Sequence, residues 1–569
     1  MESYSKFSSR YPLQLKAFLT RPVKVCPDKI GVVYRNPRTR QYFRFKYIEW
    51  YKRICQLANF LKIKLNVNEG DVVSTLAFNN HRHLELYYAV PCIGAVLNTI
   101  NVRYSLDQIE YVIKHAQPKV LFFDDDLLYL LENVYDRIKS VVKAFVYMSD
   151  EPKVLETKIT PLHSYEDSIK KEPSSFDWPD LDENKYATLC YTSGTTGLPK
   201  GVRFTHRQIY LHTVHTSLNA ALNADPAIQR LGEASVVMIN VPLFHIHGWG
   251  TPFSSVLACH KIVLPGRFTP DGFCELVQTE KVTSTSLVPT MLAMLVEYLI
   301  STQEKYDLSS LKYVGVGGAA LPPGLKAAAE KTIPGFVVSS GYGMTETCPV
   351  ISGAHIKSHM VDWPKEKLDE IRVKTGIPII GLEVDVIDEE GRPVPRDGKT
   401  IGEIVVRGPW VAEEYYKDPE KTREAWKGGW FHTGDLAVID EEGYLIIVDR
   451  VKDVIRSGAE MVPTVLLENI TMTMDAVSEV AYIGVPDDKW GERPLALIKL
   501  KKGSSCTEDD VYKFLLEQCK KGRIAKWMLP DYIAIVEEIP LTSVGKYDKK
   551  VIKERLNEYL QRAKRVHKR

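Results

Sequence analysis

Short apolar runs alternate with amphipathic stretches through the first third of the chain. Residues 72–77 and 120–123 are compact, β-branched and aromatic, and predict strands. Residues 85–96 predict a buried helix between them. Strands separated by helical stretches predict doubly wound α/β layers. The pattern continues with strands at 186–191, 237–242, 283–289, 313–316 and 337–339, several of them running into Gly-rich segments. From residue 374 the texture changes. Runs at 384–386 and 402–406, with a turn at Glu390-Gly391, predict a small antiparallel, β-barrel-like unit. Further on, strands at 480–485, 495–500 and 532–536 and a helix at 508–519 predict a small α+β domain.

The most informative polar interruption follows the strand at 186–191. Residues 191–201 read Tyr-Thr-Ser-Gly-Thr-Thr-Gly-Leu-Pro-Lys-Gly. Thr192, Ser193, Thr195 and Thr196 supply hydroxyl donors, and Gly194, Gly197 and Gly201 let backbone N–H groups approach an anion. Lys200 adds a compact charge. A polyphosphate is the natural ligand. Thr205-His206-Arg207-Gln208 has the form of a capping box, so a helix is expected to open there. Strand, loop and helix would then frame a phosphate site. The Walker pattern is absent, because Pro199 stands where its second glycine belongs and Gly201 follows the lysine.

Other segments offer complementary chemistry. His245 lies just beyond the strand at 237–242, where open α/β sheets bind ligands; taken alone, it and His247 also fit core histidines. Two Gly-rich turns, Gly317-Gly318-Ala319 and Ser340-Gly341-Tyr342-Gly343-Met344-Thr345-Glu346, follow buried strands and build a crevice. Tyr342 offers an aromatic face to a base, and Glu346 a hard oxygen for Mg2+. Asp435, after Thr433-Gly434, can accept from a ribose diol. Residues 449–460 alternate in charge, as solvated linkers do. Gly545-Lys546 alone indicates no more than an exposed lysine.

Length and composition narrow the classes. A chain of 569 residues exceeds one ordinary core and implies at least two domains. The net charge of +2 gives no electrostatic reason to bind nucleic acid or a membrane surface. The nine cysteines include no Cys-x-x-Cys pair, which suggests neither a disulfide framework nor zinc, but a reducing compartment. The N-terminus lacks an apolar h-region, and the longest apolar stretch, 287–300, is too short to span a bilayer. A cytoplasmic protein without integral membrane association is expected.

With the motifs at 191–201, 340–346, 430–435, 449–460 and 540–546 in this order, the chain resembles the adenylate-forming superfamily. It is most similar to the AMP-forming acyl-CoA synthetases of the medium- and long-chain fatty acid branch. The likeness runs over about residues 25–556. It implies a large domain over 1–449, a hinge at 450–452 and a mobile C-terminal lid domain over 453–569. It implies ligation of a carboxylic acid to coenzyme A through an acyl-adenylate, with ATP and Mg2+; homodimerisation is a family-level expectation. Thr192 and Lys200 match the phosphate loop, and Glu346 the metal ligand. Tyr342 and the Gly317–Ala319 and Ser340–Thr345 segments match the adenine site, Asp435 the ribose ligand, and Arg450 the residue that contacts the ribose or phosphate. Lys452 matches the hinge, Ser457-Gly458 the turn meeting the pantetheine arm, and Lys546 the catalytic lysine of adenylation. Val316, Gly341, Gly343, His245 and Trp249 fall at the acid pocket, with Trp249 at a gating position.

Two positions depart from the family's usual pattern: Ala459 replaces a second glycine, and Met528 stands where many relatives are basic. Acetyl-CoA synthetases carry tryptophan at the position of Gly343, so glycine implies a pocket deeper than acetate needs. Four extra methylenes would add roughly 3 kcal/mol of selectivity at about 0.8 kcal/mol each. A medium or long fatty acid, a short substituted acid such as a hydroxybutyrate, and an aryl acid all stay open. So do a stand-alone adenylation domain that loads a carrier protein and an ADP-forming kinase, against which Pro199 argues.

Overall fold

The structure, a computed structural model, describes residues 11–192, 198–225, 232, 234–458, 460–541 and 547–566. Two large sheets dominate. The first has seven strands in the order Leu162–Ser164, Ala144–Met148, Val120–Asp124, Val72–Leu76, Val96–Thr99, Tyr186–Tyr191, Gly201–Thr205. All neighbours in it are parallel except the last pair. Val96–Thr99 and Val120–Asp124 are buried at every residue. Strands covered by helices on both faces need such continuous burial rather than alternation.

The second sheet has nine strands, with Val236–Met238, Ser284–Leu287, Tyr313–Val316 and Val337–Gly343 parallel through its middle. Its far edge is the hairpin Ile30–Arg35 and Tyr42–Lys46, which joins through Val32 opposite Ile262. The chain thus places its first two strands in the second sheet before building the first. No local pattern announces this. A single apolar core draws on both sheets and on helices His81–Cys92 and Thr251–Leu257, and Asn79 bridges to Gly266 between the sheets.

An antiparallel five-stranded sheet contains Glu383–Ile387, Gly402–Arg407, Trp430–Ile439 and Leu445–Arg450. From Ile455 onward the strands form a separate six-stranded sheet built on Val477–Asp487 against Gly491–Leu500, with its own apolar core. The architecture is the expected α/β one.

Several local expectations are corrected. The expected helix at 85–96 is His81–Cys92, and Val96 opens a strand. The expected strand at 283–289 is Ser284–Leu287; Pro289 opens helix Pro289–Ser301, where its missing N–H costs nothing. The strand expected to stop at 339 runs on through Gly343, so 340–343 is strand and not a turn.

The largest correction concerns the phosphate loop. Helix His206–Ala221 does open on the Thr205/Gln208 capping box. A strand, Gly201–Thr205, intervenes, and it pairs antiparallel with Tyr186–Tyr191 so that Tyr191 faces Gly201 and Tyr186 faces Thr205. The strands that flank residues 192–200 are therefore paired neighbours. The helix N-terminus sits at the opposite end, about 17 Å away at ~3.4 Å per residue over five residues, too far for its dipole to act at the loop.

Candidate active site

The hairpin that carries the loop is closed at its base by reciprocal bonds. Thr192 N–H donates to the Lys200 carbonyl (2.9 Å), and Lys200 N–H donates to Thr192 Oγ1 (3.2 Å). Tyr104 hydroxyl donates to the Thr192 carbonyl at 2.8 Å. Ser193, Gly194, Thr195, Thr196 and Gly197 lie outside the described residues. The Lys200 ammonium sits 4.2 Å from the centroid of the Tyr415 ring. Burial pushes its pKa down and Glu346 pulls it back up.

Glu346 is buried, at 6% exposure. Its carboxylate accepts from the Tyr415 hydroxyl at 2.7 Å, and its carbonyl accepts from Ala412 N–H at 2.8 Å. Burial raises its pKa; Tyr415 and Lys200 oppose the rise. Tyr416 N–H donates to the Gly201 carbonyl at 2.8 Å. Residues 412–416 therefore stitch Glu346 to the exit of the phosphate loop. Tyr415 is a site residue that sequence reasoning missed. Nothing in the run Glu413-Glu414-Tyr415-Tyr416 marks one of two adjacent tyrosines as facing inward.

Beside this group, Tyr342 donates to Asp435 Oδ2 at 2.6 Å, and Arg450 Nε lies 3.1 Å from Asp435 Oδ1. Asp435 and Arg450 face each other across Trp430–Ile439 and Leu445–Arg450. Burial and the adjacent Asp435 push the Tyr342 phenol far above its usual pKa, so it stays protonated and donates. A second missed residue, Glu403, holds this strand end. Its Oε1 accepts Gly434 N–H at 3.0 Å, and its Oε2 lies 2.9 Å from His432 Nδ1. Gly434 has φ +71°, which glycine adopts freely.

Among the acid-pocket candidates, Trp249 and Gly341 meet at Gly317. Gly317 and Gly318 follow Tyr313–Val316, with Val316 buried. The Trp249 indole lies against both glycines: a Cβ on Gly317 would come within 3.1 Å of its Cη2 and of the Gly341 carbonyl oxygen. Ala319 continues this turn, exposed. Ser340 is nearly buried and accepts Ala354 N–H through its carbonyl; Met344 N–H donates to the Pro349 carbonyl at 3.0 Å; Thr345 opens a short turn through Thr347.

The two histidines separate. His247 is buried, 2.8 Å from Thr188 Oγ1, a core histidine; His245 is half-exposed. Residues Ile246, His247, Gly248, Trp249 and Gly250 all have positive φ (22°, 51°, 51°, 57°, 77°).

Gly343 corrects an expectation. A Cβ there would lie 2.2 Å from the Pro349 carbonyl oxygen and 3.0 Å from Val350 Cα. Close backbone approach demands glycine here whatever the acid, so Gly343 is not evidence of an open pocket wall.

In the last sheet, Ser457 and Gly458 occupy the tip of hairpin Ile455–Ser457 and Glu460–Val462. Buried Arg493 donates to Ser457 Oγ (2.8 Å), to the carbonyls of Trp527 and Leu529, and to Asp531. Gly458 N–H donates to the Trp490 carbonyl at 2.6 Å. Ala459 and Lys546 lie outside the described residues. Among the described residues on either side of 542–546, Leu541 pairs with Tyr547, and Asp548 N–H donates to the Pro540 carbonyl at 2.8 Å. Lys452 is exposed; partial desolvation lowers its pKa, and Asp453, Asp435 and Asp548 pull it back up. Asp449 Oδ2, one strand position before Arg450, accepts Thr464 N–H.

Among the described residues no set of three His, Cys, Asp or Glu side chains forms a metal cage. The free oxygen capacity of Glu346 fits a cation that takes one protein carboxylate and completes its shell with water and substrate phosphates, as Mg2+ does.

The profile of the AMP-binding enzyme family matches residues 19–416, and that of the AMP-binding enzyme C-terminal domain matches residues 466–546. The chain belongs to this family, the adenylate-forming superfamily, in its AMP-forming acyl-CoA synthetase branch. Among its relatives, a long-chain-fatty-acid–CoA ligase of Thermus thermophilus is 42% identical over 549 residues, covering 96% of each chain. A 4-hydroxybutyrate–CoA ligase of Metallosphaera sedula is 35% identical, covering 94% of this chain and 93% of its own. ATP-bound MatB from Rhodopseudomonas palustris is similar in structure, with a TM-score of 0.80 at 25% identity over 96% of this chain and 100% of its own.

Proposed function

We infer that this protein joins a carboxylic acid to coenzyme A in two steps, releasing pyrophosphate and then AMP. One observation carries the reading. Four residues far apart in the chain form two neighbouring charged groups: Lys200 over the Tyr415 ring whose hydroxyl donates to Glu346, and Asp435 beside Arg450 and under the Tyr342 hydroxyl, with Asp435 and Arg450 close enough to act electrostatically on Glu346. In the first step an acid carboxylate attacks the α-phosphate of ATP. Two anions must approach, so positioning and fixed charge carry the catalysis and no protein nucleophile is needed. Lys200 and the loop amides around Thr192 hold the β- and γ-phosphates. Asp435 and Arg450 hold the ribose, and Tyr342 with the Gly317–Ala319 turn flanks the base. Glu346 holds Mg2+, which when bound neutralises phosphate charge. Lys546 steadies the carboxylate and α-phosphate. His245, Trp249, Val316 and Gly341 line the acid side.

In the second step the CoA thiolate displaces AMP, with Ser457, Gly458 and Ala459 meeting the pantetheine arm. Lys546 and Gly458 lie on one lid over 453–569 and serve different steps, so rotation about Lys452 presents each in turn. Lys452→Pro is expected to impair thioester formation more than adenylation.

The acid is a medium or long fatty acid, supported by the Thermus thermophilus relative. A hydroxybutyrate is the second reading, supported by the Metallosphaera sedula relative. Nine free cysteines support a cytoplasmic setting; among the described residues no helix is long and apolar enough to cross a membrane. Homodimerisation is carried over as part of the reading.

The test is incubation with ATP, Mg2+, CoA and a panel of acids. AMP that appears only with acid supports the reading. ADP, or AMP without acid, overturns it. A best rate with acetate removes the fatty acid assignment alone.

A further inference from the structure

The turn that carries His245 and Trp249 is costly in backbone terms. Left-handed conformation costs a non-glycine residue roughly 1–2 kcal/mol, and Ile246, His247 and Trp249 all adopt it. Such a turn persists only where its surroundings over-determine it. The segment just before it is held by one buried side chain. Asn79, 2% exposed, donates through Nδ2 to the carbonyls of Ile239 (2.8 Å) and Val241 (2.9 Å). Its Oδ1 accepts Leu243 N–H at 2.8 Å. One amide thus satisfies three backbone groups within five residues, where strand Val236–Met238 has ended and no ladder serves them.

The surrounding contacts point the same way. Asn79 is fixed by its bridge to Gly266. Its neighbour Asn80 caps helix His81–Cys92 and donates to buried Asp124. From that helix, the Tyr87 hydroxyl donates to the Leu243 carbonyl, and Tyr88 donates to the Pro252 carbonyl at 3.0 Å beyond the turn. Thr188, beside the phosphate-loop strand, meets His247. The turn is clamped at both ends by buried residues, and Asn79 makes the largest share of the entry clamp.

We propose that Asn79 is the positioning residue for the acid pocket: through Ile239, Val241 and Leu243 it sets the place of His245 and Trp249, and so governs acid binding and chain-length selection without touching the acid. The proposal rests on the acid–CoA ligase reading above. It predicts an effect on the acid side alone, because the bonds of Asn79 do not reach Lys200, Glu346, Asp435 or Arg450.

The experiment is steady-state kinetics of wild type, Asn79→Ala and Asn79→Asp with straight-chain acids from acetate to palmitate. Asn79→Asp keeps the shape but turns a carboxylate oxygen toward two carbonyls. Displacing a positioned group by about 1 Å costs up to about a hundredfold. The expected result is a rise of about ten- to a hundredfold in KM for the acid and a flattened chain-length profile, with KM for ATP changed by less than about twofold. Parallel rises in both KM values, or an unchanged chain-length profile in the folded variants, overturn the proposal. Should both variants fail to fold, Tyr87→Phe removes only the hydroxyl on the Leu243 carbonyl. It is expected to show the same split at smaller size, and an unchanged acid KM and profile in it overturn the proposal too. An inactive wild type would instead sink the ligase reading, so the two failures are distinct.

Discussion

Around Asp435 and Glu346 charge is answered by side chains: Arg450 and Tyr342 on one carboxylate, Tyr415 and Lys200 on the other. Around Trp249 the backbone does the work. Five left-handed residues in a row are kept in place by Asn79, Tyr87 and Thr188 acting on main-chain groups and a core histidine. The first region is a preorganised electrostatic site, built on fixed charges and aimed donors. The second is a shape, and a shape is lost when one strut moves. Substitutions in the first should weaken the nucleotide step for every acid alike. Those in the second should change which acid is used.

The sharpest test lies on the electrostatic side. If Lys546 steadies the reacting phosphate as proposed, Lys546→Ala should cost about 2.7–4 kcal/mol, or roughly 10²- to 10³-fold, in adenylate formation. Pyrophosphate exchange should fall by that amount, while CoA attack on a supplied acyl-adenylate continues. Equal loss in both half-reactions would break the assignment.

Tyr415→Phe comes next. It keeps the ring under Lys200 and deletes the hydroxyl on Glu346. A hydrogen bond to a charged group contributes about 1.5–3 kcal/mol, so kcat/KM for ATP should fall roughly ten- to a hundredfold. The ranking of acids should not change; a changed ranking would erase the distinction between the regions.

Trp249→Ala is the mirror experiment. Removing the indole that lies against Gly317 and Gly318 should move chain-length preference by several-fold, at about 0.8 kcal/mol per methylene accommodated or lost. KM for ATP should stay within about twofold. A shift in KM for ATP as large as that for the acid would count against a separate acid side.

The smallest effect concerns the seam between the five-stranded sheet and the residues that follow. Asp449 is buried at 1% exposure, and burial pushes its pKa up to about 6 against the pull of Lys549. A raised folded pKa means the folded state holds the proton more tightly. The stabilisation is full below about pH 4 and is lost as pH rises through about 6. Asp449→Asn has no such proton to lose. Its unfolding midpoint, minus that of wild type, should climb between about pH 4 and pH 6 and then level off, by a few degrees at most. A flat difference would refute the assignment.

Much of the fold could be read from the sequence because its strands are continuous apolar runs with sharp ends. Tyr186–Tyr191 and Tyr313–Val316 fall where the pattern places them, and the capping box at Thr205 opens its helix. The hairpin strand Gly201–Thr205 escaped, because Gly-Val-Arg-Phe-Thr is short and its pairing partner defines it. Pro289 was legible only as an end of strand, although its neighbours make it a helix start.

What the sequence determined by itself was chemistry: which side chains carry charge, which turns are rich in glycine, and therefore that a polyphosphate and a nucleotide are the ligands to expect. Covalent identity and local spacing suffice for that. The tertiary structure alone decided that Tyr415 faces Glu346, that Glu403 braces Asp435, that Gly343 answers to Pro349, and that Asn79 holds a turn more than 160 positions away. Those pairings are long-range and directional. Each depends on where two sheets, built from interleaved parts of the chain, come to rest against each other, and no window of neighbouring residues contains that information.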